Sequence, residues 1–334
     1  MRCHLAFNGK AVEANIGETL IDAALGGSML IPHDCRSGQC QSCRVTVVSG
    51  SVDDRGTAYG RTVLACQATV SGNAGIEFEE LPMPVKRTGA ITEINLLSPE
   101  IVEVVMTTTV PLEYRPGQYI RLKLSGFPAR EFSPTCRLDG SSKDLELVFH
   151  IRRLPDGLVS RELGQAIKPG HNAHVQGPFG QSYLHEGDGP LILISGGAGW
   201  APIWALARSA RRDQRERELI VIAGGRDATD LYMRPALEWL MDDGVREVVA
   251  TSPTGGSGGV RRGLPTHYVP LLGLEDTVHV AGPIGLVDAI KSKALDAHAR
   301  CFADPFLASP RTASLADRIA RKWQSFELFG RREA

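Results

Sequence analysis

The run Cys35-Arg36-Ser37-Gly38-Gln39-Cys40-Gln41-Ser42-Cys43 decides how the amino-terminal part of this chain is read. Its cysteines stand at C-x4-C-x2-C, and Cys66 follows in Val63-Leu64-Ala65-Cys66-Gln67. This is the ligand spacing of a plant-type 2Fe-2S centre, in which a tight loop supplies three thiolates and a neighbouring strand brings the fourth. A zinc ribbon would carry two paired C-x2-C hooks, and the chain has one, so the spacing favours the cluster over zinc. Gly38 relieves the backbone beside the metal, while Arg36, Ser37 and Ser42 bring polar groups and amides toward sulfide. Cys3, Cys136 and Cys301 read instead as small buried hydrophobes.

Upstream of the loop, residues 2–16 alternate, with Leu5, Phe7, Val12, Ala14 and Ile16 apolar around Asn8-Gly9, the strongest short hairpin signal. Thr19 is placed to cap a short helix carrying Leu20, Ile21, Ala24 and Leu25. A strand at 44–48 and another ending near Glu80 complete a small β-rich domain. Pro82 and Pro84, among the charges of residues 79–86, mark a linker. From Thr88 to about His185, short alternating runs at 102–106, 119–124 and 145–150 between Gly and Pro turns predict a barrel. The grammar then changes. Leu191-Ile192-Leu193-Ile194 runs into glycines and a helical stretch, and further apolar runs follow at 219–223, 245–251, 278–281 and 300–303. Strand-helix alternation predicts a parallel sheet covered on both faces.

A length of 334 residues fits two or three domains. The formal net charge of −1 provides no basic field for nucleic acid, and no apolar stretch approaches the roughly 20 residues of a membrane helix. Met1-Arg2-Cys3-His4 lacks the features of a signal peptide, so a cytoplasmic protein is expected. Seven cysteines, an odd number, do not suit a secreted disulfide framework.

The cysteine run and the strand around Cys66 resemble the ferredoxin domain of reductase components of bacterial oxygenases, with Gln41 where glycine is common. Arg115-Pro116-Gly117-Gln118-Tyr119, Arg130-Glu131-Phe132-Ser133, Gly157-Leu158-Val159-Ser160 and Gly177-Pro178-Phe179-Gly180, in that order, resemble the flavin barrel of the ferredoxin-NADP reductase superfamily. The resemblance implies FAD, with Arg130, Gly157 and Ser160 at its phosphates, Phe132 on the ring face and Ser133 on the ring edge. The backbone at His150-Ile151 would lie along the flavin.

Ser195-Gly196-Gly197-Ala198-Gly199-Trp200-Ala201-Pro202 stands where a strand opens into a helix, and Gly197, Ala198 and Gly199 suit a pyrophosphate at a helix N-terminus. No Lys-Ser or Lys-Thr follows, so it is not a P-loop. With Gly224-Gly225-Arg226, Asp230-Leu231-Tyr232 and Ala281-Gly282-Pro283, it resembles the nicotinamide domain of the same superfamily. Arg226, Tyr232, Gly282 and Pro283 would then meet the coenzyme, and Trp200 would place a bulky ring near the dinucleotide entrance. Cys301-Phe302-Ala303-Asp304-Pro305-Phe306 resembles the closing segment in which an aromatic covers the second flavin face. Ser133 and Phe306 are therefore the residues expected beside the reacting ring.

The architecture implied is multidomain α+β and α/β. It comprises a β-grasp 2Fe-2S ferredoxin domain at 1–82, a six-stranded antiparallel FAD barrel at 87–186 and a doubly wound parallel α/β nicotinamide domain at 187–307. A tail at 308–334 follows. In the tail, Ser314 and Asp317 suit a capping box, and Leu315, Ile319, Trp323 and Phe326 share one helical face beside Arg318, Arg321 and Lys322. Such a helix is expected to pack on its own protein, the alternative being a dock for an oxygenase.

The resemblance implies an NADH-dependent reductase that passes electrons through FAD and 2Fe-2S to a terminal oxygenase of aromatic-ring hydroxylation, or to an intermediate ferredoxin. A diiron monooxygenase or a deoxysugar dehydratase are alternative acceptors, and a redox sensor without sustained turnover is the alternative of another class. NADPH is less favoured, although Arg226 suits a 2′-phosphate. No acid-base constellation is present, as expected when no general base is needed.

Overall fold

The computed structural model describes residues 2–33, 36, 38, 43–80, 84–141 and 143–306. Cys35, Cys40, Gln41 and the tail at 308–334 lie outside the described residues.

Strands β1 (Arg2–Phe7) and β2 (Lys10–Asn15) turn at Asn8 and Gly9, whose φ values of 46° and 81° are the left-handed pair that a two-residue hairpin demands. Helix α1 (Leu20–Gly26) starts where the Thr19 side chain accepts the Asp22 amide at 3.2 Å. Strands β3 (Arg44–Gly50), β4 (Thr62–Leu64) and β5 (Ala74–Glu77) complete a mixed sheet of order β2-β1-β5-β3-β4. The parallel β1–β5 pair at its centre, with α1 across one face, makes this a β-grasp unit. Its core includes Leu5, Phe7, Leu20, Ile31 and Ile76, together with Cys43 and Cys66.

The second sheet joins β6 (Val85–Leu96), β7 (Ile101–Thr108), β8 (Tyr119–Leu124), β9 (Arg130–Phe132), β10 (Glu146–Arg152) and β11 (Asn172–Phe179). Every pairing is antiparallel, in the order β10-β7-β6-β11-β8-β9. The sheet curls until the Thr135 amide donates to the Val148 carbonyl at 2.8 Å, so the stretch after β9 meets β10 and closes the barrel. Strand β6 begins at Val85, ahead of Thr88, where the alternating pattern starts.

The third sheet is wholly parallel. Strands β12 (Leu191–Gly196), β13 (Leu219–Gly224), β14 (Glu247–Ser252) and β15 (Arg261–Arg262) run outward to one side, and β16 (Thr277–Gly282) and β17 (Arg300–Pro305) to the other. Helices α2 (Trp200–Asp213) and α3 (Arg234–Asp242) share a core with Leu191, Leu193 and Val221. Helix α4 (Ile284–Asp296) shares the opposite one with Ile192, Ile194 and Ile222. Alternate residues of each strand thus serve opposite faces, which is why these strands read as unbroken apolar runs. The direction of winding reverses between β12 and β16, and ligands of such sheets bind at the carboxyl ends of the strands flanking that reversal.

Trp200 is not at an entrance. It is fully buried, stacked on Trp204 with centroids 5.8 Å apart, in a core that also takes Ile101 and Cys136 from the barrel. Trp204 Nε1 donates to the Arg137 carbonyl at 2.8 Å, and Arg137 is itself held by Glu93 at 2.8 Å and Glu103 at 3.1 Å. Two indoles at the start of α2 therefore weld the parallel sheet to the barrel. The β-grasp unit is held by polar contacts: Glu79 accepts from Arg115 and from the Tyr183 hydroxyl at 2.7 Å, and Tyr59 donates to Glu275 at 2.8 Å.

At this junction His185 stacks between Tyr183 (4.1 Å) and Phe302 (4.2 Å), and burial pushes it down to about 4, with nearby Arg300 adding to the effect and Glu79 opposing it. Burial likewise pushes His150 down to about 3. Both are neutral in the folded protein where an unfolded chain is already taking up protons. Their contribution is intact above about pH 6.5, and stability should fall as pH drops toward about 4, by about 1.4 kcal/mol per pH unit for each histidine. Urea unfolding at about pH 7 and about pH 5 checks this. The slope should shrink in His185→Phe, and an equal slope in both proteins would contradict the assignment.

Candidate cofactor and electron-transfer site

Cys43 immediately precedes β3 and Cys66 follows β4, and the antiparallel pairing of these strands brings the two buried sulfurs within hydrogen-bond reach. The bond from Cys43 holds the Cys66 thiol down at about 6, against the opposing effect of burial. The Gln67 side-chain amide donates to Cys66 Sγ at 3.6 Å, and the backbone of Gly38, at φ +80°, supplies a further hydrogen bond. Two converging sulfurs, with Cys66 biased toward thiolate and met by amide donors, suit the donor set a 2Fe-2S centre requires. Cys35 and Cys40 would complete it from outside the described residues.

On the barrel, Phe132 ends β9 half-buried against the core, 6.1 Å from the Phe149 ring. Arg130 is half-buried, its Nη1 donating to the Ala129 carbonyl at 2.9 Å. The Ser160 hydroxyl accepts the Leu154 amide at 3.1 Å, and a Cβ on Gly157 would stand 2.2 Å from that hydroxyl, so a side chain there would turn the serine away from this bond. Ile151 points into the barrel and His150 out of it. His150 Nδ1 lies 3.3 Å from the Tyr232 hydroxyl, so these two candidate side chains are buried against each other at the barrel-sheet junction.

At the sheet reversal, Gly199 lies so close to β16 that a Cβ would land on the Ala281 carbonyl. Gly197 has φ +56°, and a Cβ there would stand 2.7 Å from Arg152 Nη2. Gly282 has φ +136° and its carbonyl accepts the Phe306 amide at 2.8 Å. Pro283 follows at the N-cap of α4. Ser133 Oγ donates to Asp304 Oδ2 at 3.3 Å across the junction. Ser133, Phe306, Gly282 and the Gly197–Gly199 turn thus lie together where the end of β9 on the barrel meets the carboxyl ends of β12 and β16.

Three residues of this region escaped the sequence reading. Arg152 stands two positions beyond the candidate His150, and only the fold carries it to Gly197. Glu100 turns from β6 into β7 and reaches Arg152 Nη1 at 3.3 Å and Arg226 Nη2 at 2.7 Å. Asp304, inside the segment that resembles the closing strand, is 171 residues from its partner Ser133, a separation no local pattern spans.

The Cys43–Cys66 pair on a β-grasp sheet, a closed antiparallel barrel and a dinucleotide-type sheet reversal define an iron-sulfur flavoprotein oxidoreductase. Comparison with known proteins agrees, module by module. A 2Fe-2S iron-sulfur cluster binding domain matches residues 5–71, an oxidoreductase FAD-binding domain 89–183 and an oxidoreductase NAD-binding domain 193–292. The ferredoxin–NAD(P)+ reductase component of the naphthalene 1,2-dioxygenase system of Pseudomonas putida is 31% identical over 292 residues, covering 82% of this chain and 86% of that protein. The xylene/toluene monooxygenase electron transfer component of Pseudomonas putida is 29% identical over 320 residues, 88% of this chain and 90% of that protein. Among solved structures, the Amycolatopsis cytochrome P450 reductase GcoB superposes with a TM-score of 0.64 at 25% identity, covering 92% of this chain and all of that one. The chain belongs to the family of ferredoxin–NAD(P)+ reductase components built from 2Fe-2S, FAD and NAD modules. It is an electron-transfer oxidoreductase. Among the described residues no helix is long and apolar enough to cross a membrane.

Proposed function

We propose that this chain is the NADH-dependent reductase of an aromatic-ring-hydroxylating oxygenase, delivering electrons to the terminal oxygenase or to an intermediate ferredoxin. The observation that carries the reading is the convergence of Ser133 and Phe306 with Gly282 at the sheet reversal, where nicotinamide and flavin would have to meet. A bound flavin accepts two electrons with a hydride and releases them singly, which suits a one-electron cluster. The chain's own residues position and shield. Arg130 and Ser160, with Gly157, would hold the flavin phosphates, Phe132 and Phe306 its two faces, and Ser133 its edge, the serine hydroxyl being oriented by the Asp304 carboxylate. Gly197, Ala198 and Gly199 would take the dinucleotide pyrophosphate, with Pro283 shaping the nicotinamide end. Cys35, Cys40, Cys43 and Cys66 would ligate the cluster. The functional modules would run 1–82, 87–186 and 187–307.

Similarity to reductases named for aromatic dioxygenase systems supports the oxygenase as acceptor. Turnover with candidate oxygenases from the same organism tests it, and an absence of NADH-dependent product with every one of them would reject it. Phe306 is 40% exposed, as a ring that must move off a flavin face would be. Phe306→Ala should alter the flavin absorbance band and change the KM for NADH roughly 2- to 10-fold, the range of one aromatic contact. Unchanged spectra and kinetics would remove Phe306 from the site.

A further inference from the structure

Arg226 follows β13 and its two glycines, at the end of the dinucleotide cleft where such folds receive the adenosine ribose. An arginine there ordinarily accommodates a 2′-phosphate. Here the Nε–Nη2 edge of its guanidinium is already taken. Asp230 Oδ2 sits 2.6 Å from Nε, Asp230 Oδ1 3.2 Å from Nη2, and Glu100 Oε2 2.7 Å from Nη2. Asp230 belongs to the same module as Arg226. Glu100 does not: it comes from the β6–β7 turn of the flavin barrel, a turn pinned by the Ser98 hydroxyl accepting the Ile101 amide at 3.1 Å.

We propose that Glu100 is a specificity-determining residue that acts through Arg226, occupying the guanidinium face a 2′-phosphate would need and so favouring NADH. A phosphate entering this corner would have to displace one carboxylate and lie against the other, whereas ribose hydroxyls can donate to both. The discrimination comes from like-charge exclusion, which penalises the wrong ligand without tightening the right one. The pairs themselves are half-exposed and weak as sources of stability. The same Glu100 oxygen, Oε2, also reaches Arg152 Nη1 at 3.3 Å, and Arg152 stands next to the Gly197 turn. One carboxylate oxygen from the barrel therefore joins Arg226 to the cation beside the Gly197 turn. Glu100 is a positioning residue, and this role rests on the NADH reading above.

The test uses holoprotein in four forms: wild type, Glu100→Gln, Glu100→Asp and the double variant Glu100→Gln with Arg226→Ala. Calorimetric binding of 5′-AMP and of 2′,5′-ADP is measured beside kcat/KM for NADH and NADPH with ferricyanide, and bound flavin and melting temperature report folding. Glu100→Gln should raise 2′,5′-ADP affinity relative to 5′-AMP by about tenfold, one charge-assisted phosphate contact, with the NADPH gain in KM rather than kcat. Glu100→Asp should keep the wild-type preference, and the double variant should lose the gain. If wild type prefers NADH and Glu100→Gln leaves the ratio unchanged, the role of Glu100 is overturned while the NADH reading stands. If wild type prefers NADPH, the NADH reading itself fails, and Glu100 with it.

Discussion

Cys66→Ser should leave a protein that still bleaches its flavin with NADH but passes almost nothing to one-electron acceptors. Cys66 is buried at the end of the β4 turn, bonded to Cys43 and to the Gln67 amide, and its thiol is already biased toward the thiolate a metal needs. Serine keeps the volume but offers a hydroxyl that gives up its proton far less readily. Loss of partners around a metal ligand commonly costs about 10–100-fold, and loss of the ligand itself should exceed that. Cytochrome c reduction is expected to fall by roughly a hundredfold or more, and the iron and acid-labile sulfide content should collapse with it. Ferricyanide reduction taken directly from flavin should persist. A variant with full iron content would place the fourth ligand elsewhere.

Gly199→Ala should be the most damaging single change at the dinucleotide end. The backbone of Gly199, with φ −59° and ψ −12°, would accommodate any residue, so glycine is not needed there for its conformational freedom. Space is the reason: a Cβ would land on the Ala281 carbonyl and 2.7 Å from the Gly282 amide, backbone atoms of β16 that no rotamer change can move. Overpacking ordinarily costs 1–3 kcal/mol, and a backbone-on-backbone collision belongs at or above about 3 kcal/mol. Relief would require the start of α2 and β16 to part at the reversal where pyrophosphate would bind. NADH affinity should therefore fall by more than about tenfold while the barrel, lying apart from this contact, keeps its flavin. Thermal melting and flavin content separate a local effect from general unfolding. Undiminished NADH affinity would mean the coenzyme does not use this turn.

Much of the architecture was legible because its signals are local. Asn8-Gly9 is a turn wherever it falls between alternating strands, Thr19 caps whatever helix follows it, and Leu191–Ile194 can only be a strand buried on both faces. The long β6 and the polar β11 were less legible: in Val85–Leu96 charged and small residues interrupt the alternation, and Asn172–Phe179 carries a Gly-Pro pair that reads as a turn. The candidate site divides in the same way. The cysteine spacing and the flavin and glycine motifs are contiguous in sequence. The pairs Ser133–Asp304, Arg152–Glu100 and Glu100–Arg226 arise only when three sheets are brought together. Trp200 shows the converse, since a bulky residue beside a glycine turn suggests an entrance, yet the start of α2 carries its ring into the junction with the barrel.

Electrons should flow in one order, from nicotinamide to flavin to cluster. Anaerobic mixing of the oxidised holoprotein with NADH, followed by flavin absorbance and by freeze-quench electron paramagnetic resonance, tests it most directly. The flavin band should bleach first and the signal of a reduced 2Fe-2S centre should grow afterwards, at a rate that does not depend on NADH concentration. A cluster reduced before the flavin, or one that stays oxidised while the flavin is fully reduced, would contradict it.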